Sequence, residues 1–268
     1  MRRLAIHIFL AGCLLAPVAV QAQSNPQPWV QATEELKATE TDLAASGLLA
    51  INKHRDRLEK ALTEGSSAFP PPPAADGTQT VLADGMAESL VAMAATKSSN
   101  GKTVAVFNPY PRIALFLGSY YTETGKPEDA LRVLAAGMKL NAAPSLALGE
   151  TLPLLYGEQA AAYVKLRRWT DSLAACETGL KITTMQDRDR ARLHRSRGFA
   201  LIELERLDDA QAAYAASLKL EPDNAIAVHE MEYIAKLRRG GMPGAPVVIL
   251  PPVTPEPGKA DPTPTKPL

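Results

Sequence analysis

The sequence predicts an all-α fold, built as a stack of short helical hairpins. Aromatic residues make up only 5% of the chain and alanine is abundant. This composition suits packed helices better than a β-sandwich, which requires β-branched and aromatic residues. Helix–turn–helix patterns recur along residues 111–224. The 22 prolines cluster at residues 70–73 and after Met242, so they mark boundaries between helical segments.

The N-terminus is interpreted as a secretory signal peptide covering residues 1–22. Arg2 and Arg3 provide a positive start, a mostly apolar stretch follows, and small residues lead up to Ala22. We therefore expect cleavage after Ala22 and an exported bacterial protein, periplasmic or secreted, whose mature chain starts at Gln23.

Two alternatives stay open for this segment. The apolar stretch of about 17 residues is at the lower limit for a membrane anchor, although Pro17 and the small residues after it favour cleavage. The sequence Leu10-Ala11-Gly12-Cys13 resembles a lipobox, and its use would give a lipoprotein acylated at Cys13 and held at the membrane. The residues after Cys13 stay apolar, whereas a lipoprotein tether is usually polar.

Charge and cysteine content restrict the partners of the mature chain. Removal of residues 1–22 takes away two arginines, which leaves 27 basic and 29 acidic residues and a net charge of about −2. Such a surface has no overall attraction for nucleic acid or anionic lipid, so we expect no nucleic-acid partner. Cys176 is the one cysteine left, which excludes an intramolecular disulfide.

Residues 23–98 are predicted to form an N-terminal helical region that contains a proline-rich loop. Apolar residues at helical spacing extend from Trp29 to Leu62, and Gly47 is a candidate break between two helices. The four consecutive prolines favour an extended loop or linker over residues 65–78.

A short helix is expected at residues 84–95, with Asp84 as its candidate N-cap. Residues 99–110 are predicted to be a connector. Within it, residues 103–107 form a brief extended run that is too short and isolated to predict a sheet.

Residues 191–224 form the clearest repeat unit, with a first helix, a turn at residues 205–209 and a second helix. Its defining residues are Gly198, Leu201, Ala210, Tyr214 and Pro222. They occupy the G, Y, A, F and P positions of a pattern of about 34 residues, W-x₂-L-G-x₂-Y…A-x₃-F…P, and the unit therefore resembles a tetratricopeptide repeat (TPR). His194 and Arg197 stand where the pattern has Trp and Leu.

Two further units precede this one. Residues 111–144 match the pattern at Gly118, Tyr121, Ala130 and Leu134, and residues 153–186 match it more weakly at Ala160, Tyr163, Ser172 and Cys176. In this pattern the small residue of the first helix lets the second helix approach closely. One hairpin cannot bury its apolar face alone, so about three or more must stack.

The TPR resemblance implies a right-handed superhelical stack of helical hairpins with flanking N-terminal helices. Residues 111–239 would form the repeat region, closed by a capping helix at residues 225–239 whose apolar stripe covers the last repeat. Residues 240–268 are rich in proline and lack helical periodicity, so a disordered tail is expected there.

By the same resemblance, the chain is expected to be a non-catalytic scaffold that binds a protein or peptide along a groove lined by first helices. The residues that the resemblance places in the groove are Arg112, Leu115, Ser119, Thr122, Arg188, Arg192, Arg195 and Phe199. The arginines favour an acidic or C-terminal carboxylate group. The positions that complete the known TPR carboxylate clamp hold Leu115, Ser119, Gly157 and Ala161, so this mixed lining suits an apolar segment as well.

No catalytic motif, cofactor site or metal site is expected. His54, His194 and His229 lie far apart, Cys176 falls in a core position, and residues 99–103 lack the first glycine of a phosphate-binding loop. Two other functions stay open: a ligand-binding or enzyme-accessory protein whose N-terminal helices close a pocket, and a lipid-anchored outer-membrane assembly factor.

Overall fold

The computed structural model describes residues 27–97, 102–141 and 149–240. The predicted signal peptide and the tail after Gly240 lie outside these residues. The elements, in chain order, are α1 (Pro28–Ser46), α2 (Leu48–Ala68), β1 (Gln79–Ala83), α3 (Met86–Lys97), β2 (Thr103–Phe107), α4 (Tyr110–Glu123), α5 (Pro127–Lys139), α6 (Leu152–Lys165), α7 (Trp169–Leu180), α8 (Asp187–Glu203), α9 (Leu207–Leu220) and α10 (Ala225–Arg238).

Three helical hairpins, α4–α5, α6–α7 and α8–α9, occupy the positions of the three repeat units. Both helices of the first hairpin, α4 and α5, contact α6. Both helices of the second, α6 and α7, contact α8, and α10 packs against α9. The prediction of an all-α stack of the TPR type is therefore confirmed.

The turns between the paired helices share one backbone conformation. Gly125, Arg167 and Glu205 all have a positive φ, of 75°, 56° and 59°. Each stands the same seven positions after the small residue of its first helix, and those small residues are Gly118, Ala160 and Gly198. Glycine adopts this left-handed conformation freely, whereas Arg167 and Glu205 adopt it at an energetic cost, which indicates that the hairpin packing imposes the turn.

Close approach of the paired helices depends on these small residues. A Cβ atom at Gly198 would lie 2.6 Å from the ring of Tyr214, and one at Gly118 would lie 2.5 Å from Leu134. In the middle hairpin, the Ser172 hydroxyl donates a hydrogen bond of 3.1 Å to the carbonyl of Ala160. The small side chain on one helix thus makes room for the larger one on its partner.

The N-terminal hairpin α1–α2 packs on the repeats as one continuous core. Gly47, with φ of 56°, separates the two helices as expected. Helix α2 contacts α4 and α5, and the Tyr121 hydroxyl donates a 2.6 Å hydrogen bond to Glu59 of α2. Helix α2 also continues to Ala68, past the predicted start of the loop at residue 65, because Gly65 packs beneath the ring of Tyr110.

The connection from α2 to α4 contains a β-α-β unit that the sequence pattern did not predict. Strands β1 and β2 pair in parallel, from Gln79 opposite Thr103 to Ala83 opposite Phe107, and α3 contacts both strands. The expectation that residues 103–107 stand alone is therefore wrong. Their partner strand lies more than 20 residues earlier, so local sequence carries no signal of the pairing.

Asp84 does not cap helix α3. Its carboxylate accepts hydrogen bonds from the backbone N–H and the hydroxyl of Thr151, at 2.7 and 2.9 Å, while its own N–H donates to Glu88. Burial raises the pKa of the Asp84 carboxyl above its usual value, against the lowering effect of the Thr151 hydrogen bonds. These bonds fasten the β-α-β unit to the start of α6.

Gly198→Ala is expected to destabilise the fold by about 1–3 kcal/mol, because its Cβ overlaps the buried Tyr214 ring. Gly157→Ala, also in a first helix, is the matched control. Its Cβ meets Leu193 at an ordinary 3.8 Å, so alanine should be neutral or stabilise the helix by up to about 1 kcal/mol. Denaturant unfolding of both variants measures the difference, and equal losses would contradict the close-approach account.

Candidate partner-binding groove

The first helices of the three hairpins and the N-terminal hairpin border an open cavity of 260 Å³. Its lining residues, in chain order, are Leu43, Leu48, Ile51, Leu115, Phe116, Ser119, Leu154, Glu158 and Arg192. The lining is mostly apolar, with one hydroxyl and one oppositely charged pair.

Helical spacing brings these residues to one surface. Leu115 and Ser119 are four residues apart on α4, and Leu154 and Glu158 are four apart on α6, so each pair lies on one helix face. The contacts of α4 with α6, and of α6 with α8, place these faces side by side and bring Arg192 of α8 to the far edge.

The turn between α1 and α2 supplies the wall that the repeat pattern did not predict. Leu43 and Leu48 flank Gly47, and Ile51 follows one turn later. Leu49, next to this wall, is 74% exposed, which leaves a large aliphatic side chain in solvent at the turn. In sequence, these leucines belong to the amphipathic stripe of the N-terminal helices and carry no separate signal.

The charge of Arg192 is paired within the chain. Its Nη2 donates to the Glu158 carboxylate at 2.5 Å, across the α6–α8 contact. Glu158 is buried, so its carboxylate depends on this guanidinium for charge compensation. An acidic partner group would have to compete with Glu158 for Arg192.

The structure brings together three of the eight residues expected in the groove, Leu115, Ser119 and Arg192. Arg112 lies at the start of α4, where it pairs with Glu40 of α1 at 3.1 Å and stacks over Phe107. Arg188 is exposed one turn before Arg192, outside the cavity lining.

The other three residues expected in the groove, which are Thr122, Arg195 and Phe199, do not line it. Thr122 is only 2% exposed and its hydroxyl has no hydrogen-bond partner among the described residues, because its side chain turns into the helix packing. Arg195 donates hydrogen bonds to Ser217 of α9 and to Glu221, the residue that follows α9. Phe199 packs edge-on against Trp169 of α7, with ring centroids 6.1 Å apart, and so fills the contact between hairpins.

His54 and Cys176, which could in principle act as a base or a nucleophile, lie outside the lining of this groove. His54 bridges the carboxylates of Glu35 and Asp42 between α1 and α2. Within residues 27–97, 102–141 and 149–240, no three His, Cys, Asp or Glu residues are grouped as metal ligands. Burial raises the pKa of Cys176 to about 12, which leaves its thiol protonated at neutral pH.

A membrane-crossing helix, with the necessary length and apolar character, is absent from the segments that the structure describes.

The stacked hairpins, with their first helices side by side, give the described part of this chain a TPR-like helical-repeat fold. No protein-family model matches the chain. RNA polymerase II-associated protein 3 of the rat, Rattus norvegicus, is 28% identical over 117 residues, and the mouse protein matches equally. The match covers 44% of this chain and 16% of the rat protein, so the chain spans a small part of these relatives.

Solved structures of TPR domains are also similar to this chain. The first TPR domain of human RPAP3 has a TM-score of 0.43 and 22% identity, and covers 49% of this chain and 94% of that domain. The first TPR of Spaghetti (RPAP3), bound to the HSP90 peptide SRMEEVD, has a TM-score of 0.42 and 25% identity. The match covers 48% of this chain and 94% of that domain.

His194 is expected to make folding stability depend on pH. Burial, reinforced by the positive charges of Arg197 and Arg190, holds the pKa of His194 below the usual histidine value of about 6.5. The neutral His194 therefore contributes to the free energy of unfolding above about pH 6.5. This contribution is lost as pH falls through the folded-state pKa, because the unfolded chain binds the proton more readily. Between pH 8 and pH 5, denaturant unfolding should show a smaller decrease in the free energy of unfolding for His194→Gln than for the unsubstituted chain. Equal decreases would exclude His194 as a cause of the pH dependence.

Proposed function

We propose that this chain is an exported, non-catalytic scaffold that binds an apolar segment of a protein partner in the groove. The proposal is carried by the open cavity that Leu115, Leu154 and the α1–α2 turn border. Burial of apolar partner side chains there would remove both surfaces from water, at about 25 cal/mol for each Å².

The paired arginine favours an apolar occupant over an acidic one. The HSP90 peptide in the Spaghetti structure, SRMEEVD, carries three carboxylate side chains. In this chain Glu158 already holds Arg192, and Glu221 holds Arg195. An acidic segment would therefore meet a guanidinium group that Glu158 already neutralises at the edge of the cavity, whereas an apolar segment meets leucines.

The cavity size favours protein side chains over a free small molecule. Pockets for small-molecule ligands typically have volumes of about 300–1,000 Å³ and bury most of the ligand. At 260 Å³ and open to solvent, this cavity is below that range. The N-terminal helices do line it, as the ligand-binding alternative requires, but they do not enclose it.

A photo-cross-linking side chain at Ser119 tests the site in the native cell envelope. Ser119 lines the cavity, whereas Ala212 is exposed on α9 away from it and serves as the control position. We expect a discrete adduct from position 119, lost when Leu115 is changed to Glu and kept with Leu115→Met. The glutamate would place a charge in the apolar contact and lower affinity by about tenfold or more.

Salt dependence distinguishes the two occupant classes once the adduct is identified. Binding of an apolar segment should change little between ~50 mM and ~500 mM salt, whereas an acidic segment should weaken because its ion pairs are screened. A strong salt dependence together with loss of binding in Arg192→Glu would overturn the apolar assignment. An adduct that is equally strong from positions 119 and 212 would contradict the groove itself.

Export is tested by mass spectrometry of the mature N-terminus. The positive start and apolar stretch of residues 1–22 support cleavage after Ala22, with Gln23 as the first residue. An acylated Cys13 would instead support the lipid-anchored alternative. A retained Met1 would contradict cleavage at either site and leave the membrane-anchor alternative.

A further inference from the structure

Strand β2 presents a row of backbone groups that point away from β1. In a parallel pair, the N–H and C=O of one residue point to the same side, and successive residues alternate. The hydrogen bonds from Gln79 N–H to the Lys102 carbonyl and from Asn108 N–H to the Ala83 carbonyl, at 2.8 and 2.9 Å, fix this alternation. The backbone groups of Thr103, Ala105 and Phe107 therefore face outward.

This outer edge is open within the described part of the chain. Helix α3 and strand β1 are the described elements that pack substantially on β2, and no described residue bonds to the outward groups of residues 103, 105 and 107. Val104 and Phe107 are 46% and 42% exposed.

The edge also lacks the features that prevent strand addition. Natural edge strands usually carry charged residues, proline or a bulge. Residues 103–107, Thr-Val-Ala-Val-Phe, contain no charged residue, proline or glycine. A sheet of two strands is smaller than most, and β2 forms one of its two edges.

We propose that a second copy of this chain pairs with β2, antiparallel and with its two-fold axis at Ala105. In that register Ala105 lies opposite its own copy, and Thr103 lies opposite the second copy's Phe107. All outward groups then find partners, giving about six main-chain hydrogen bonds between the copies. The result is a four-stranded sheet of the order β1-β2-β2-β1.

The edge fits a second copy because its donors and acceptors are complementary to themselves. A two-fold axis relates identical surfaces, and such isologous pairing is the commonest arrangement in dimers. Because residues 103–107 are uncharged, no like charges lie opposite each other across the axis. The exposed Val104 meets the second copy's Val106, and the exposed Phe107 meets its Thr103.

The interface is small, so the dimer is weak. Five residues of edge and their neighbours bury less than the ~1,200 Å² typical of stable complexes. Association should therefore depend on concentration, with a dissociation constant on the order of 0.1 mM.

Disulfide trapping tests the register directly. With Cys13 replaced by Ser, Ala105→Cys places two thiols on facing residues with Cα atoms about 5.5 Å apart, within reach of a disulfide. Lys102→Cys is the matched control, because its two copies would lie about 20 Å apart. Cys176 is buried and should not form an intermolecular disulfide in either variant. Under mild oxidation we expect at least about tenfold more covalent dimer from position 105. Equal trapping at both positions would overturn the register.

Sedimentation equilibrium of the full chain tests association without a cross-link. The average mass should rise from 28.6 kDa toward twice that value as concentration rises to ~1 mM. Val104→Lys should remain monomeric, while Val104→Thr, which keeps the branched side chain, should associate. A monomeric full chain at all concentrations overturns the proposal. If that monomer associates once residues 241–268 are removed, those residues, rather than a second copy, occupy the outer edge of β2 in the full chain. The groove variants described above should leave self-association unchanged, so the two proposals fail separately.

Discussion

Close contact between the two helices of each hairpin is the constraint on which the rest of the structure depends. Gly198 beneath Tyr214 and Gly118 against Leu134 allow the second helix to lie directly on the first. This contact determines the backbone conformation of the turn between the two helices. Arg167 and Glu205 therefore adopt a left-handed conformation that only glycine adopts freely. It also sets the direction of the first helices, whose exposed faces form the groove.

The groove combines two kinds of interaction with different consequences for binding. In the proposed complex its aliphatic residues would lose contact with water, which is favourable in proportion to area. The Arg192–Glu158 pair compensates the charge of the buried Glu158 carboxylate, while the Arg192 side chain is itself 45% exposed. Its importance lies in selectivity: while Glu158 holds Arg192, an incoming carboxylate gains no unpaired cation at this edge.

The β-α-β unit adds a surface that the repeats alone do not have. Asp84 anchors it through two hydrogen bonds to Thr151 at the start of α6, and Leu82 and Val106 join the main core. One face of the sheet is thereby fixed on the repeats, which leaves the outer edge of β2 as its exposed boundary. The groove and this edge are separate surfaces, so partner binding and self-association can be tested independently.

The repeat hairpins were predictable because their signals are local: a small residue, a turn and a second small residue recur at fixed spacing, and helical periodicity marks each helix. Leu115, Ser119 and Arg192 were placed near one another by that register. The sequence did not reveal that Glu158 pairs with Arg192, that Phe199 packs on Trp169, or that Asp84 bonds to Thr151. Those contacts join residues 30 to 67 positions apart. Likewise, the pairing of β1 with β2 and the place of the α1–α2 turn in the groove wall depend on which elements meet in space, and only the packed tertiary structure decides that.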